Sequence, residues 1–233
     1  MLEAPVTLGN VLRHCALFAR VDDPTMARCV ELMRARRYRR GETIFHQGDQ
    51  GDSLYVIESG AVKIVLPSPE GEDEAIIATL GPGDFFGELA LLDGAERSAT
   101  AIAHEATVAQ VLRRQAFQGL VDTQPDLRLA LLAALAGELR RLTHHVDELH
   151  FLNLPGRLAR RIIRLAREAD PTARGEVRLP WLYSQSELAS MIGGTRQTVN
   201  RLLADFAAED LIRIERDVLI VPDLARLERA AER

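Results

Sequence analysis

Glycine punctuation constrains the first half of this chain more than any other feature. From Tyr38 to about Arg113, Gly41, Gly48, Gly51, Gly60, Gly71, Gly81, Gly83, Gly87 and Gly94 cut the sequence into short apolar stretches. A turn roughly every ten residues is the spacing of an all-β sandwich or barrel. The stretches between them, Ser53 to Ser59, Ala61 to Leu66, Ala75 to Leu80, Ser98 to Ala103 and Thr107 to Leu112, have the length and β-branched content of strands. Residues 8 to 36 ahead of them read as helical.

After Phe117 the period changes. Pro125 suits the first turn of a helix, and only Gly137 interrupts the chain before Pro155. Leu132, Leu135, Leu139, Leu142, Val146 and Leu149 recur at intervals of 3, 4, 3, 4 and 3, an a/d heptad seam. A helix of about 27 residues at about 1.5 Å each spans roughly 40 Å, more than one small domain needs to cover its own face. A parallel homodimer through residues 125–152 is the economical reading. The alternative, packing on the β domain of the same chain, calls for a wider apolar face than this stripe.

Asn153, Leu154, Pro155 and Gly156 then read as a helix break and hinge. Beyond it lie a helix from Arg157 to Ala169, a strand-bearing connection from Gly175 to Leu182, and two helices, Ser184 to Ile192 and Thr195 to about Glu209. Gly193 and Gly194 join that pair. A hairpin of Ile212 to Ile214 and Val218 to Val221 follows, and a terminal helix starts at Asp223. The division expected is therefore 1–124 for an N-terminal helix and β-roll, 125–153 for a dimerisation helix and hinge, and 154–233 for a winged helix-turn-helix, an α+β chain overall.

The two late helices carry the pattern of a DNA reader. Leu188, Ala189 and Ile192 face Val199, Leu202 and Leu203 in one core, and Gly193 permits the left-handed turn between them. Thr195 caps the second helix, whose first turns expose Arg196, Gln197, Asn200 and Arg201 for base edges. Arginine grips guanine O6 and N7, and glutamine pairs similarly with adenine. Ser184, Gln185, Ser186 and Thr198 are placed for phosphates. The alternative is an ordinary αα-hairpin with a polar face; the hairpin behind it and the two-fold symmetry of the seam favour a reader of palindromic DNA.

Charge agrees only once it is divided. The chain carries a net charge of −5, yet 154–233 holds 14 arginines against 12 acids while 1–153 holds 15 basic and 22 acidic residues. Lys63 is the only lysine.

Within the roll, Gly83 to Leu92 (GDFFGELALL) precedes Arg97 to Ala101 (RSATA). By chemistry alone, Gly87 lets backbone amides approach an anion, Glu88 accepts from sugar hydroxyls, and Arg97 with Ser98 neutralises a phosphate. A glycine-cornered turn with incidental surface charges is the equal alternative.

FGELALL followed by RSAT, together with GGTRQTVNR in the helix pair, resembles the CRP/FNR family of bacterial transcription regulators. The order of roll, long helix and winged helix-turn-helix matches over nearly the whole chain. The resemblance implies a sequence-specific regulator controlled by a cyclic nucleotide, cyclic AMP foremost, with RNA polymerase as a further partner. Glu88 would hold the ribose 2′-hydroxyl, Arg97 and Ser98 the cyclic phosphate, and amides around Gly87, Leu89 and Ala90 would line the pocket. Thr143 matches a position that reaches the adenine in the family's cyclic-AMP-binding reference member, and Leu142 stands where that member has a second, threonine contact. Gln197 replaces a glutamate that accepts from cytosine. A nucleotide-independent regulator of the same family, or one gated by another ligand, is the competing expectation.

Other classes fit poorly. Cys15 and Cys29 lack the spacing of a metal or cluster site and read as buried free thiols. His46 and His104 stand alone, whereas a metal-dependent β-roll enzyme needs clustered ligands. His144 and His145 read as solvated flanks of the seam. No nucleophile, base and orienting group converge, so neither catalysis nor a cofactor is expected. No run has the roughly 18 apolar residues of a membrane span, and Met1 to Pro5 lack a basic region ahead of an apolar core; a cytoplasmic protein is expected.

Overall fold

The computed structural model of the chain describes residues 8–67, 74–173, 175–181 and 183–232. The readings that fall on Met1 to Pro5, Gly71 and Leu182 lie outside the described residues. The chain forms two compact units divided between Arg140 and Arg141.

The first unit opens with α1 (Leu8–His14) and α2 (Asp23–Leu32). Asp22 caps α2, its Oδ1 accepting from the Thr25 amide at 2.9 Å. The helical reading of residues 8–36 fails at its end, because Arg34–Tyr38 is strand β1. Next come β2 (Thr43–Phe45), β3 (Ser53–Ser59), β4 (Val62–Pro67), β5 (Glu74–Leu80), β6 (Phe85–Phe86), α3 (Leu89–Asp93), β7 (Thr100–Ala103), β8 (Thr107–Arg113) and α4 (Arg114–Thr123). The long helix α5 (Pro125–Phe151) follows and runs past the division at Arg140.

The strands form two four-stranded antiparallel sheets, β1-β8-β3-β6 and β2-β7-β4-β5. Strand β3 shows how the layers are built. Its Tyr55 and Ile57 enter a core with Val62, Phe86, Ala101 and Val111 between the sheets. Leu54 and Val56, on its other face, pack with Leu12, Phe18, Phe117 and Leu127 under the helices. Alternation by two thus serves two cores at once, and the strand is apolar without a break from Leu54 to Ile57. Cys15 and Cys29 are free and buried in the helical layer. Burial pushes the Cys15 thiol up to about 12 and that of Cys29 up to about 11.

The second unit contains α6 (Leu154–Ala169), β9 (Val177–Pro180), α7 (Gln185–Ile192), α8 (Arg196–Ala208), β10 (Arg213–Glu215), β11 (Val218–Val221) and α9 (Leu224–Ala230). Helix α6 is strongly amphipathic and buries Leu158, Ala159, Ile162, Ile163 and Ala166. The three strands form one sheet in the order β10-β11-β9. The hinge reading needs correction: α6 already includes Leu154, Pro155 and Gly156, and only Leu152 and Asn153 are non-helical. Asn153 caps α6, its Oδ1 accepting from Gly156 N at 2.9 Å, and proline in a first turn has no amide to lose. Among the described residues no helix is long and apolar enough to cross a membrane.

The seam of α5 lies largely uncovered. Leu132, Leu139 and Val146 are 63%, 66% and 53% exposed, and Leu142 and Leu149 are exposed as well.

Candidate functional site

In the first unit the cassette is organised around Arg97. Strand β6 ends at Phe86 and is followed by Gly87, whose φ of +81° is left-handed. A Cβ there would stand 2.6 Å from Arg97 Nη1, so glycine meets both a backbone and a steric demand. The Arg97 side chain is 4% exposed. Its Nη1 donates to the Gly87 carbonyl at 2.6 Å and its Nη2 to the Ser53 carbonyl at 2.8 Å. The guanidinium also lies over Phe45, 4.2 Å from the ring centroid, and 5.7 Å from that of Tyr55. Burial pushes its pKa below the ordinary arginine value, against the opposing influence of Tyr55 and Asp52.

One donor of this buried cation, Nε, has no hydrogen-bond partner. An unsatisfied buried N–H costs on the order of 1–3 kcal/mol, more when it belongs to a charged group. An anionic oxygen brought to Arg97 would meet a donor still open and a charge already stripped of water. Glu88 is half-buried beside it, Leu89 and Ser98 are exposed, and Ala90 is buried. The fold therefore brings Gly87 and Arg97 into direct contact, with Glu88, Leu89, Ala90 and Ser98 adjoining them in the chain. Leu142 and Thr143 are exposed on α5 in the second unit.

Sequence reasoning missed several supports of this cassette. A Cβ on Gly51 would come within 2.3 Å of the Ala90 Cβ, which fixes glycine there. Arg114 donates to the carbonyls of Gly51 and, at 2.9 Å, Ala90, strapping the loop before β3 to α3. Gly51 was visible as one of the regular glycines. The aromatic bed of Phe45 and Tyr55 had no local signal, because it forms only when β2 and β3 are brought together.

In the second unit the helix pair is built as its residues suggest. Leu188, Ala189, Ile192, Val199, Leu202 and Leu203 are buried. Gly193 ends α7 with φ +70°. Ser184 and Glu187 form a reciprocal capping box, the Glu187 amide donating to Ser184 Oγ at 3.2 Å and the Ser184 amide to Glu187 Oε2 at 2.9 Å. Thr195 caps α8, its Oγ1 accepting from Thr198 N at 3.2 Å and lying 3.0 Å from Thr198 Oγ1. Gln185 Nε2 donates to Asn200 Oδ1 at 3.1 Å and ties α7 to α8. Ser184, Thr195 and Thr198 thus have structural duties that the sequence reading assigned only in part. Ser186, Arg196, Gln197, Asn200 and Arg201 are exposed, the last four on the N-terminal half of α8.

The cyclic nucleotide-binding domain family matches residues 35–124, and the Crp-like helix-turn-helix domain family matches residues 156–230. The chain is 33% identical over 224 residues to the CRP-like cAMP-activated global transcriptional regulator of Mycobacterium tuberculosis, covering 96% of this chain and 100% of that protein. It is 36% identical over 198 residues to the cyclic AMP receptor protein of Thermus thermophilus, covering 84% of this chain and 87% of that protein. Among solved structures, a CRP-family transcriptional regulator from Thermus thermophilus aligns with TM-score 0.69 at 31% identity, over 85% of this chain and 97% of that one. The c-di-GMP-responsive regulator CLP of Xanthomonas campestris, at TM-score 0.74 and 24% identity over 86% and 99% of the two chains, shares the fold. The chain belongs to the CRP/FNR family of DNA-binding transcription regulators, with a cyclic-nucleotide-binding domain ahead of a Crp-like helix-turn-helix domain.

Proposed function

We propose that this regulator is a homodimer whose sequence-specific DNA binding is switched by cyclic AMP. The observation that carries the ligand is Arg97: a buried guanidinium with two donors on carbonyls and Nε unpartnered. A cyclic phosphate supplies the missing acceptor and a compensating charge in a site already shielded from water. Glu88 accepts from the ribose hydroxyl and Ser98 donates to the phosphate. The Mycobacterium tuberculosis relative is a cAMP-activated regulator, which supports the choice of nucleotide.

The exposed seam of α5 supports the dimer, since a regular a/d stripe of leucines is stabilised by a second copy of itself. A two-fold dimer presents two copies of α8 to a palindrome with half-sites about 10 base pairs apart. Occupation of the cassette alters how the paired α5 helices pack, and that change reorients the DNA-reading helices. RNA polymerase is the partner through which such a regulator acts on transcription.

Calorimetry with cyclic AMP and cyclic GMP, run beside DNA binding with and without each nucleotide, tests this reading. Heat of binding and a DNA affinity raised by about 5- to 150-fold are expected with cyclic AMP. Absence of heat, or DNA affinity indifferent to nucleotide, would leave a nucleotide-independent regulator.

A further inference from the structure

The side chain of Arg157 spans the break between α5 and α6. Arg157, half-buried in the first turns of α6, donates from Nη2 to the Leu149 carbonyl at 2.7 Å and from Nε to the Leu152 carbonyl at 3.0 Å. Its Nη1 donates to the Ile192 carbonyl at 3.2 Å. Leu149 closes the apolar seam of α5, and Ile192 is the last residue of α7, the first helix of the DNA-reading pair. One guanidinium therefore holds the C-terminal ends of two separate helices.

The chemistry suits the place. The last carbonyls of a helix have no intrahelical partner and carry the negative end of its dipole, so two such ends converging on one point call for a cation with several donors. Arginine's rigid fork can serve three carbonyls at once, and a lysine ammonium is a single compact charge that cannot match that geometry. Neighbouring contacts tighten the joint. Arg164 Nη2 pairs with Glu148 Oε1 at 2.7 Å, joining α6 to the end of α5 a second time. A Cβ on Gly193 would lie 3.5 Å from Arg157 Nη1, and one on Gly194 would lie 3.4 Å from Leu154 Cδ2, so the turn of the helix pair rests on the first turn of α6. Gln185 and Asn200 carry the connection on to α8.

We infer that Arg157 is the positioning residue that makes the end of α5 and the DNA-reading pair move together, so that the junction is a strapped joint and not a free swivel. A turn of the α5 end displaces the Leu149 carbonyl, and Arg157 passes that displacement to the end of α7 without slack. The inference rests on the ligand-gated reading for its regulatory meaning, while the strap itself does not depend on nucleotide.

Two measurements on the full-length protein test it. Spin labels at His144→Cys on α5 and Ala204→Cys on α8, in chains diluted with unlabelled protein, report the intrachain distance without nucleotide. A narrow distribution is expected for the parent and a broader one for Arg157→Gln; equal widths overturn the strap whatever cyclic AMP does. DNA affinity is then measured on a duplex enriched by the parent protein from a randomised pool, with and without saturating cyclic AMP. Arg157→Gln is expected to cut the nucleotide-dependent gain to below about twofold while calorimetry shows cyclic AMP affinity unchanged, with Arg157→Lys intermediate. A merely structural role would weaken both DNA affinities equally and preserve their ratio, which overturns the coupling. Should Arg157→Gln not fold, Arg157→Lys with parental width and gain overturns the inference equally well. A parent indifferent to cyclic AMP defeats the ligand-gated reading alone, since the distance measurement still decides the strap.

Discussion

The guanidinium of Arg97 lies 4.2 Å from the centroid of the Phe45 ring, which places the cassette's cation on an aromatic face. Preorganisation of this kind removes a rotamer cost from binding. Phe45→Leu is expected to weaken cyclic AMP binding by about 2- to 30-fold, the worth of a cation–π contact of roughly 0.5–2 kcal/mol. Arg97→Leu should abolish binding altogether. Calorimetry reads both, and sedimentation should give each variant the oligomeric state of the parent. Equal affinities for Phe45→Leu and the parent would mean that the two carbonyl bonds alone hold the guanidinium.

The α5 seam gives a second prediction. Leu139→Glu places a carboxylate at an a position that is 66% exposed in the single chain and covered in a parallel pair. Burying two facing carboxylates disfavours association, and sedimentation velocity should show a monomer at concentrations where the parent is dimeric. Leu139 belongs to neither buried apolar cluster of the first unit, so far-UV circular dichroism should be unchanged.

Cys15 and Cys29 should resist modification. Thiolate is the reactive form, and burial has pushed the two thiols up to about 12 and about 11. Near neutral pH a thiol–disulfide exchange reagent should therefore react only as fast as the first unit opens. Rapid labelling of either residue in the folded protein would contradict the packing around Leu12 and Phe18.

What could be read from the sequence follows physical lines. Strand β3 was legible to the residue, because Leu54 through Ile57 are buried on alternating faces and flanked by turns. Strand β1 was not: Arg34, Ala35, Arg36 and Arg37 are all exposed, and what makes them a strand is an edge ladder with β8, Arg34 opposite Val111. The strands Thr43–Phe45 and Phe85–Phe86 are too short to show a period. In the sites, Gly87, Arg97 and the α8 residues carry local signatures. Arg157 does not, since its acceptors are backbone carbonyls, one of them 35 positions away. Proline and glycine beside it suggested a loose hinge, whereas Asn153 capping turns the same residues into the first turn of α6.

Thr195 provides a test of how the reading helix is held. Its Oγ1 accepts from Thr198 N at 3.2 Å, and Thr195→Ala leaves that amide without its cap. A loss of about 0.5–2 kcal/mol in the stability of the second unit is expected by chemical denaturation. Thr195→Ser, which keeps the acceptor, should recover most of it. Failure of serine to rescue would shift the role of Thr195 from capping to a contact made by its methyl group.

Arg196 opens α8 on its exposed face, at the end of the helix that enters the major groove in a helix-turn-helix complex. From there its fork can take guanine O6 and N7 together, a contact that discriminates one base pair. Arg196→Ala is expected to cost about 1–3 kcal/mol on the preferred duplex and to relax preference at one base pair of each half-site. A phosphate contact behaves differently: its loss weakens all sequences alike and lowers the salt dependence of binding. Affinities of parent and variant on duplexes substituted one base pair at a time, repeated at two salt concentrations, separate the outcomes. A uniform loss would reassign Arg196 to the backbone and leave base reading to Gln197 and Arg201, both exposed on the same helix.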